Sequence, residues 1–183
     1  ADALKMWLGG ARIVAGDRTA GGSFLECMED IIWGDNPVAM DALRAYVEAK
    51  DADPRGVFRR TADICRLAIG GLRPVFRTAS AREIFETAAR SRTLGRDVAR
   101  RLVAGEEFAH IAVARMQVMK GACAVEVERE DEKAALALLC GFNKYDDFAA
   151  ALKGAQTDAR NTLNRLAGGL QEEIALYRSG AEE

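Results

Sequence analysis

The sequence predicts an all-α fold, and three observations carry that expectation. All three prolines, Pro37, Pro54 and Pro74, come early, so everything after Pro74 lacks the strongest helix breaker. Glycines recur at Gly105, Gly121, Gly141, Gly154 and Gly168-Gly169, where C′ positions would punctuate a series of short helices. Aromatic residues are only 7% of the chain and alanine is abundant, which favours helices packed on small side chains over a sandwich around aromatic anchors. With 183 residues, 49% of them hydrophobic, a single domain 1–183 is expected, its Gly-rich segment 1–22 partly irregular.

Taken in order, the N-terminal segment before Gly21-Gly22 holds one short helical stretch near Leu4 to Leu8 and then loop. Ser23 with Glu26 forms a capping box, and Phe24, Leu25, Met28, Ile31 and Ile32 give the apolar stripe of a helix over 23–33. Asn36-Pro37 starts another, with Ala39, Met40, Leu43, Tyr46 and Val47 on one face. Asp53-Pro54 repeats that start signal, and Phe58, Ala62, Cys65, Ala68 and Ile69 line the helix until Gly70-Gly71 ends it. Ser80 with Glu83 is a second capping box, ahead of an apolar face of Ala81, Ile84, Phe85 and Ala88. Further helices are expected over about 94–104, 106–120, 130–140, 144–153 and 155–178. The alternating stretch Val125-Glu126-Val127-Glu128 has no second strand to pair with and reads as a helix start or loop. The predicted core includes Leu25, Met28, Ile31, Leu43, Val47, Phe58, Cys65, Phe85, Phe108 and Phe148.

Helices joined by short linkers fold back as antiparallel hairpins, so the expected architecture is a series of short helical hairpins forming an orthogonal bundle or a short α-solenoid. The stretch Ala81-Arg82-Glu83-Ile84-Phe85-Glu86 resembles the second helix of a tetratricopeptide or pentatricopeptide hairpin, as does Asp147-Phe148-Ala149-Ala150-Ala151-Leu152. That resemblance implies the solenoid. The chain departs from those repeats in lacking self-similarity at a period of about 34 or 35 residues and a regular proline at repeat ends.

Charge is unevenly spread behind a net charge of −2. Residues 55–104 carry net +8 between flanks of −5 each, and all 12 of their cations are arginine. Arginine offers a planar fork suited to phosphates and carboxylates alike. The candidate binding residues are Arg59, Arg66, Arg73, Arg77, Arg90, Arg96 and Arg100, facing either an acidic protein partner or nucleic acid with Phe58 and Phe76 as stacking partners. Spacing also allows internal pairs at i,i+4, Arg59 with Asp63 and Arg82 with Glu86. A sequence pI near 5.6 argues against strong non-specific nucleic-acid affinity.

His110 is expected on the exposed face of its helix, beside Glu106 and Ala114, opposite a stripe of Phe108, Ile111, Ala112, Met116 and Met119. Followed by Met116-Gln117-Val118-Met119-Lys120-Gly121, it resembles the phosphoaccepting helix of histidine phosphotransfer proteins, which implies phosphotransfer at His110. Ile111 departs from that pattern, which has an acid after the histidine, and Ala114 stands where a polar amide is usual in one branch.

No catalytic, cofactor or metal site is expected. One histidine supplies no H-E-x-x-H pair, and the acidic pairs Glu106-Glu107 and Asp146-Asp147 diverge around a helix. Cys27, Cys65, Cys123 and Cys140 have no C-x-x-C spacing and read as buried free thiols in a reducing compartment. No apolar run reaches the roughly 18 to 20 residues that span a bilayer, and Ala1 to Gly10 lacks the features of a secretory signal. A soluble protein is expected, cytoplasmic or in an organelle matrix such as the mitochondrial one. Ala1 in place of Met implies loss of an initiator methionine, a tag or a transit peptide. The leading expectation is a non-enzymatic accessory or assembly subunit working through protein–protein contacts, with nucleic-acid binding through segment 55–101 and phosphotransfer through His110 as alternatives.

Overall fold

Six helices account for most of the residues that the computed structural model describes, 40–70, 80–121 and 127–180. They are α1 (Met40–Glu48), α2 (Gly56–Gly70), α3 (Ala81–Arg90), α4 (Arg96–Lys120), α5 (Glu130–Leu139) and α6 (Tyr145–Gly180). No strand occurs among them, and Val127-Glu128 is irregular with Val127 buried. None of these helices is long and apolar enough to cross a membrane. The helix predicted over 23–33, the start signal at Pro37 and the residues Leu25, Met28, Ile31, Arg73, Phe76, Arg77 and Cys123 lie outside the described residues; so does the Leu43 side chain.

Local signals set several boundaries. The Asp53 carboxylate accepts a hydrogen bond from the Arg55 backbone N–H at 2.9 Å, an Asx-type turn that launches α2. Ser80 caps α3 by accepting from the Glu83 N–H at 3.1 Å. Acidic first turns at Glu130-Asp131-Glu132 and Asp146-Asp147 suit the positive ends of α5 and α6. Between α3 and α4 the chain turns with Arg92 at φ 61°, a left-handed conformation held by Thr93 and Leu94 N–H groups that both donate to the Ala88 carbonyl.

The bundle differs from the expected run of short hairpins in the length of its two central helices. α4 has 25 residues and α6 has 36, so the helices predicted over 94–104 and 106–120 are one, as are those over 144–153 and 155–178. Gly105 and Gly154 are therefore helix-interior residues. Among the described glycines only Gly121 (φ 107°) and Gly141 (φ 83°) take the conformation that ends a helix. Gly105 has a different use: a Cβ there would lie 2.9 Å from the Phe58 ring and 3.2 Å from Ala155, so its missing side chain lets α4 approach α2 and α6.

α4 and α6 run antiparallel, with Arg101 beside Asp158 and Phe108 beside Phe148, and carry two cores. Their inner halves, with α1, α2 and α3, enclose Phe58, Ile64, Cys65, Ile84, Phe85, Leu102 and Leu163, together with Ala62, Ala88, Ala99, Ala109, Ala159 and Ala167. This alanine-lined core matches the expectation of close packing on small side chains. The second core, where α5 covers the other ends of the two helices, does not. There Phe108, Phe142 and Phe148 form a cluster with every centroid pair 5.8 Å apart, over Val113, Met116 and Leu136. Val47, Phe58, Cys65, Phe85 and Phe148 are buried as predicted, whereas Phe108 is only half-buried.

Candidate functional site

The arginines divide by the face on which their helix presents them. On α2, Arg66 is 3% exposed and donates to Asp63 at 2.6 Å, so it lies inside the bundle and not on a binding surface, contrary to expectation. Asp63 also accepts from the Tyr46 hydroxyl at 2.6 Å. Burial, and then the neighbouring Asp63 carboxylate, push the Tyr46 phenol well above its ordinary value. The predicted Arg59–Asp63 pair is thus replaced by Arg66 and Tyr46, and Arg59 is exposed. Arg60, 4% exposed, reaches the Tyr46 and Ala49 carbonyls and the Asp51 carboxylate. Together with Arg160, which donates to the Val47 carbonyl at 2.9 Å, it satisfies the carbonyls that end α1. Neither role could be read from the sequence, because acceptors on distant segments leave no local pattern.

Arg90, Arg96 and Arg100 have the opposite fate. All three are exposed, and the α3–α4 hairpin brings them to one open groove of about 580 Å³ with a floor of Ala89, Ala99 and Val103. Their internal ties are light. Arg90 donates to the Thr87 hydroxyl at 2.9 Å, and Arg100 lies 3.4 Å from Asp97 with both side chains about four-fifths exposed (79% and 81%). Glu86, the acid in the lining, pairs with Arg82 at 3.0 Å as the spacing predicted, and raises the Arg82 guanidinium above its usual value. Thus three of the seven candidate arginines meet at one place, Arg59 and Arg66 do not join them, and Arg73 and Arg77 lie outside the described residues.

Beyond the groove, at about 100° per residue, the same face of α4 continues through the exposed Glu107 and His110 to Ile111, Ala114 and Val118. Ile111 is 39% and Val118 86% exposed; Leu138 and Leu139 at the end of α5 are exposed too, and the Leu139 carbonyl accepts from Arg115 of α4. The expectation that Ile111 belongs to the buried stripe is corrected here: the inward face of α4 is Gly105, Ala109, Ala112, Val113 and Met116. Choosing alanines for the core frees larger residues for the surface, a choice that hydrophobicity alone would not rank.

His110 is exposed as predicted, its Nε2 2.9 Å from Glu106 Oε1. It lies outside the groove lining. Phe58, which the nucleic-acid alternative would use for stacking, is fully buried at 0%, in keeping with its place in the predicted core. Cys65 is buried too, and burial pushes its thiol up to about 12, which removes it as a nucleophile near neutral pH. Among the described residues no three His, Cys, Asp or Glu side chains converge on one point.

No known protein family matches the chain, and no curated protein is similar to it.

Proposed function

We propose that the chain is a non-enzymatic helical subunit that works through protein–protein contacts in a larger assembly, and that an acidic segment of its partner docks in the α3–α4 groove. The observation that carries this reading is the convergence of Arg90, Arg96 and Arg100 over an apolar floor, while Arg60 and Arg66 are engaged inside the bundle. An amphipathic helix fits such a groove: its carboxylates meet the three guanidinium forks and its apolar residues lie on Ala89, Ala99 and Val103. Exposed ion pairs contribute only about 0 to 1 kcal/mol each, so the cations set orientation and association rate while the floor and the adjoining Ile111–Val118 face supply the buried area.

The test is native purification with identification of stoichiometric co-purifying protein, repeated with Arg90, Arg96 and Arg100 reversed to glutamate. The partner should be lost from the triple variant. Retention of the same partner would remove the groove from the proposal. Parallel anisotropy titrations with RNA and DNA separate the competing use of the same arginines. Micromolar binding with a log–log salt slope of about −4 or steeper, abolished by the triple reversal, would put nucleic acid in the partner's place.

A further inference from the structure

A second concavity, of about 400 Å³, lies on another part of the bundle, where the end of α1 and the start of α2 meet α6. It is lined by Lys50, Asp51, Val57, Lys153, Gln156, Thr157 and Arg160. Its charge is unbalanced. Asp51, the one acid, is already taken by the buried Arg60. Lys50 and Lys153 have no ion pair among the described residues, and Arg160 makes one hydrogen bond there, to the Val47 carbonyl. Burial, and to a lesser extent repulsion from the nearby Arg160, hold the Arg60 guanidinium below its ordinary value. The cations of this corner thus outnumber its acid in a protein whose net charge is −2.

Three cations drawn into one hollow whose single acid already serves Arg60 repel one another, and a multiply charged anion relieves that repulsion. Six of the seven lining residues end in polar or charged groups and Val57 is buried, so a few charged heads stand over a wall of mostly apolar carbon, an arrangement that holds a small ligand through its charge. Arg160 is held in place by the α1 carbonyl, and its other N–H donors make no hydrogen bond among the described residues. The lysines add point charges on flexible stems, the combination that grips tetrahedral oxyanions. We infer that this pocket binds a phosphate group through Lys50, Lys153 and Arg160. The site is separate from the α3–α4 groove and does not depend on the docking reading.

The experiment uses the full chain and inorganic phosphate, followed by calorimetry and by ³¹P line broadening. Saturable one-site binding is expected, weakening as chloride is raised. Lys50→Gln with Lys153→Gln should lower the affinity about 100-fold, roughly tenfold for each charge-assisted bond removed. Both lysines are exposed and serve no described ion pair, so circular dichroism should show the double variant folded. Arg160→Gln should lose binding as well, but it also uncaps α1, which is why the lysine pair decides. The groove variant with Arg90, Arg96 and Arg100 reversed should bind phosphate as the wild type does. Vesicles of phosphatidylcholine with phosphatidic acid identify the source of the phosphate: pelleting that free phosphate reverses marks a lipid headgroup, and no pelleting marks a soluble phosphate compound. No saturable binding up to about 10 mM phosphate, or equal affinity in the double-lysine variant, would overturn the inference.

Discussion

Arg60 and Arg66 on α2 share one stretch, in which every cation is arginine, with Arg90, Arg96 and Arg100 on α3 and α4, yet the two groups do opposite things. The α2 pair faces inward and directs its donors to the Tyr46 and Ala49 carbonyls, Asp51 and Asp63. The α3–α4 trio faces outward over small residues, and most of its donors make no hydrogen bond among the described residues. Net charge of a segment therefore says little about its binding power. Acceptors waiting on neighbouring helices decide it, and those acceptors are set by tertiary structure.

The largest test of this contrast is Arg60→Ala. It leaves the Asp51 carboxylate and the carbonyls at the end of α1 without their buried donor, and should cost about 2 to 4 kcal/mol in denaturant unfolding. Asp51 is 24% exposed, so water recovers part of the loss and the lower half of that range is expected. A cost under about 0.5 kcal/mol, the range of ordinary surface substitutions, would place Arg60 with the surface arginines and dissolve the distinction.

Glycine repeats the lesson, and it shows where the sequence was legible. Ser80 with Glu83, Asp53-Pro54 and the stripe Ile84, Phe85, Ala88 could be read directly, because capping and helical periodicity are local rules. The glycines could not, because one letter serves both a left-handed helix end and a close helix crossing. Gly141 is the first kind and Gly105 the second, and Gly105 needs Phe58 of a distant segment to define it. The groove is half legible: the run of arginines stands in the sequence, but their convergence depends on the α3–α4 turn at Arg92. Substitution separates the glycine roles. Gly105→Ala should destabilise by roughly 1 kcal/mol, overpacking against Phe58 outweighing the gain in helix propensity, whereas Gly154→Ala, with open space around it, should stabilise by about 0.5 to 1 kcal/mol. Effects of the same sign would mean that the two glycines play one role.

Arg55 lies between the two arginine classes, its side chain 20% exposed and bound to an Asp53 carboxylate that is 26% exposed. The hydrogen bond from the Arg55 side chain holds the Asp53 carboxyl below its ordinary value. A carboxyl with a depressed folded pKa contributes stability that is present above its unfolded pKa and lost as pH falls through the folded one. Asp53→Asn should therefore cost about 0.5 to 1 kcal/mol at pH 7, and the gap from wild type should close as pH is lowered below the usual carboxylate range. A gap independent of pH would assign the loss to the backbone turn alone.

The smallest expected effect is also the one on which the docking reading depends. Reversing Arg90, Arg96 and Arg100 to glutamate should leave stability within about 0.5 kcal/mol of wild type, because the local effects oppose one another. Arg90 sits in the last turn of α3, where a cation suits the helix dipole and an acid does not, and its removal takes a donor from the buried Thr87 hydroxyl. Arg96 opens α4 and Arg100 stands one turn further in, where acids are favoured at the positive end of the helix. The Arg100–Asp97 ion pair that the reversal removes is 3.4 Å long and almost fully solvated, so it contributes little. A triple variant that melts with wild-type midpoint yet no longer holds its partner would show that these arginines face outward in function as well as in geometry. One that unfolds instead would show that they are structural, like Arg60, and that the groove is merely the space between two helices that need them.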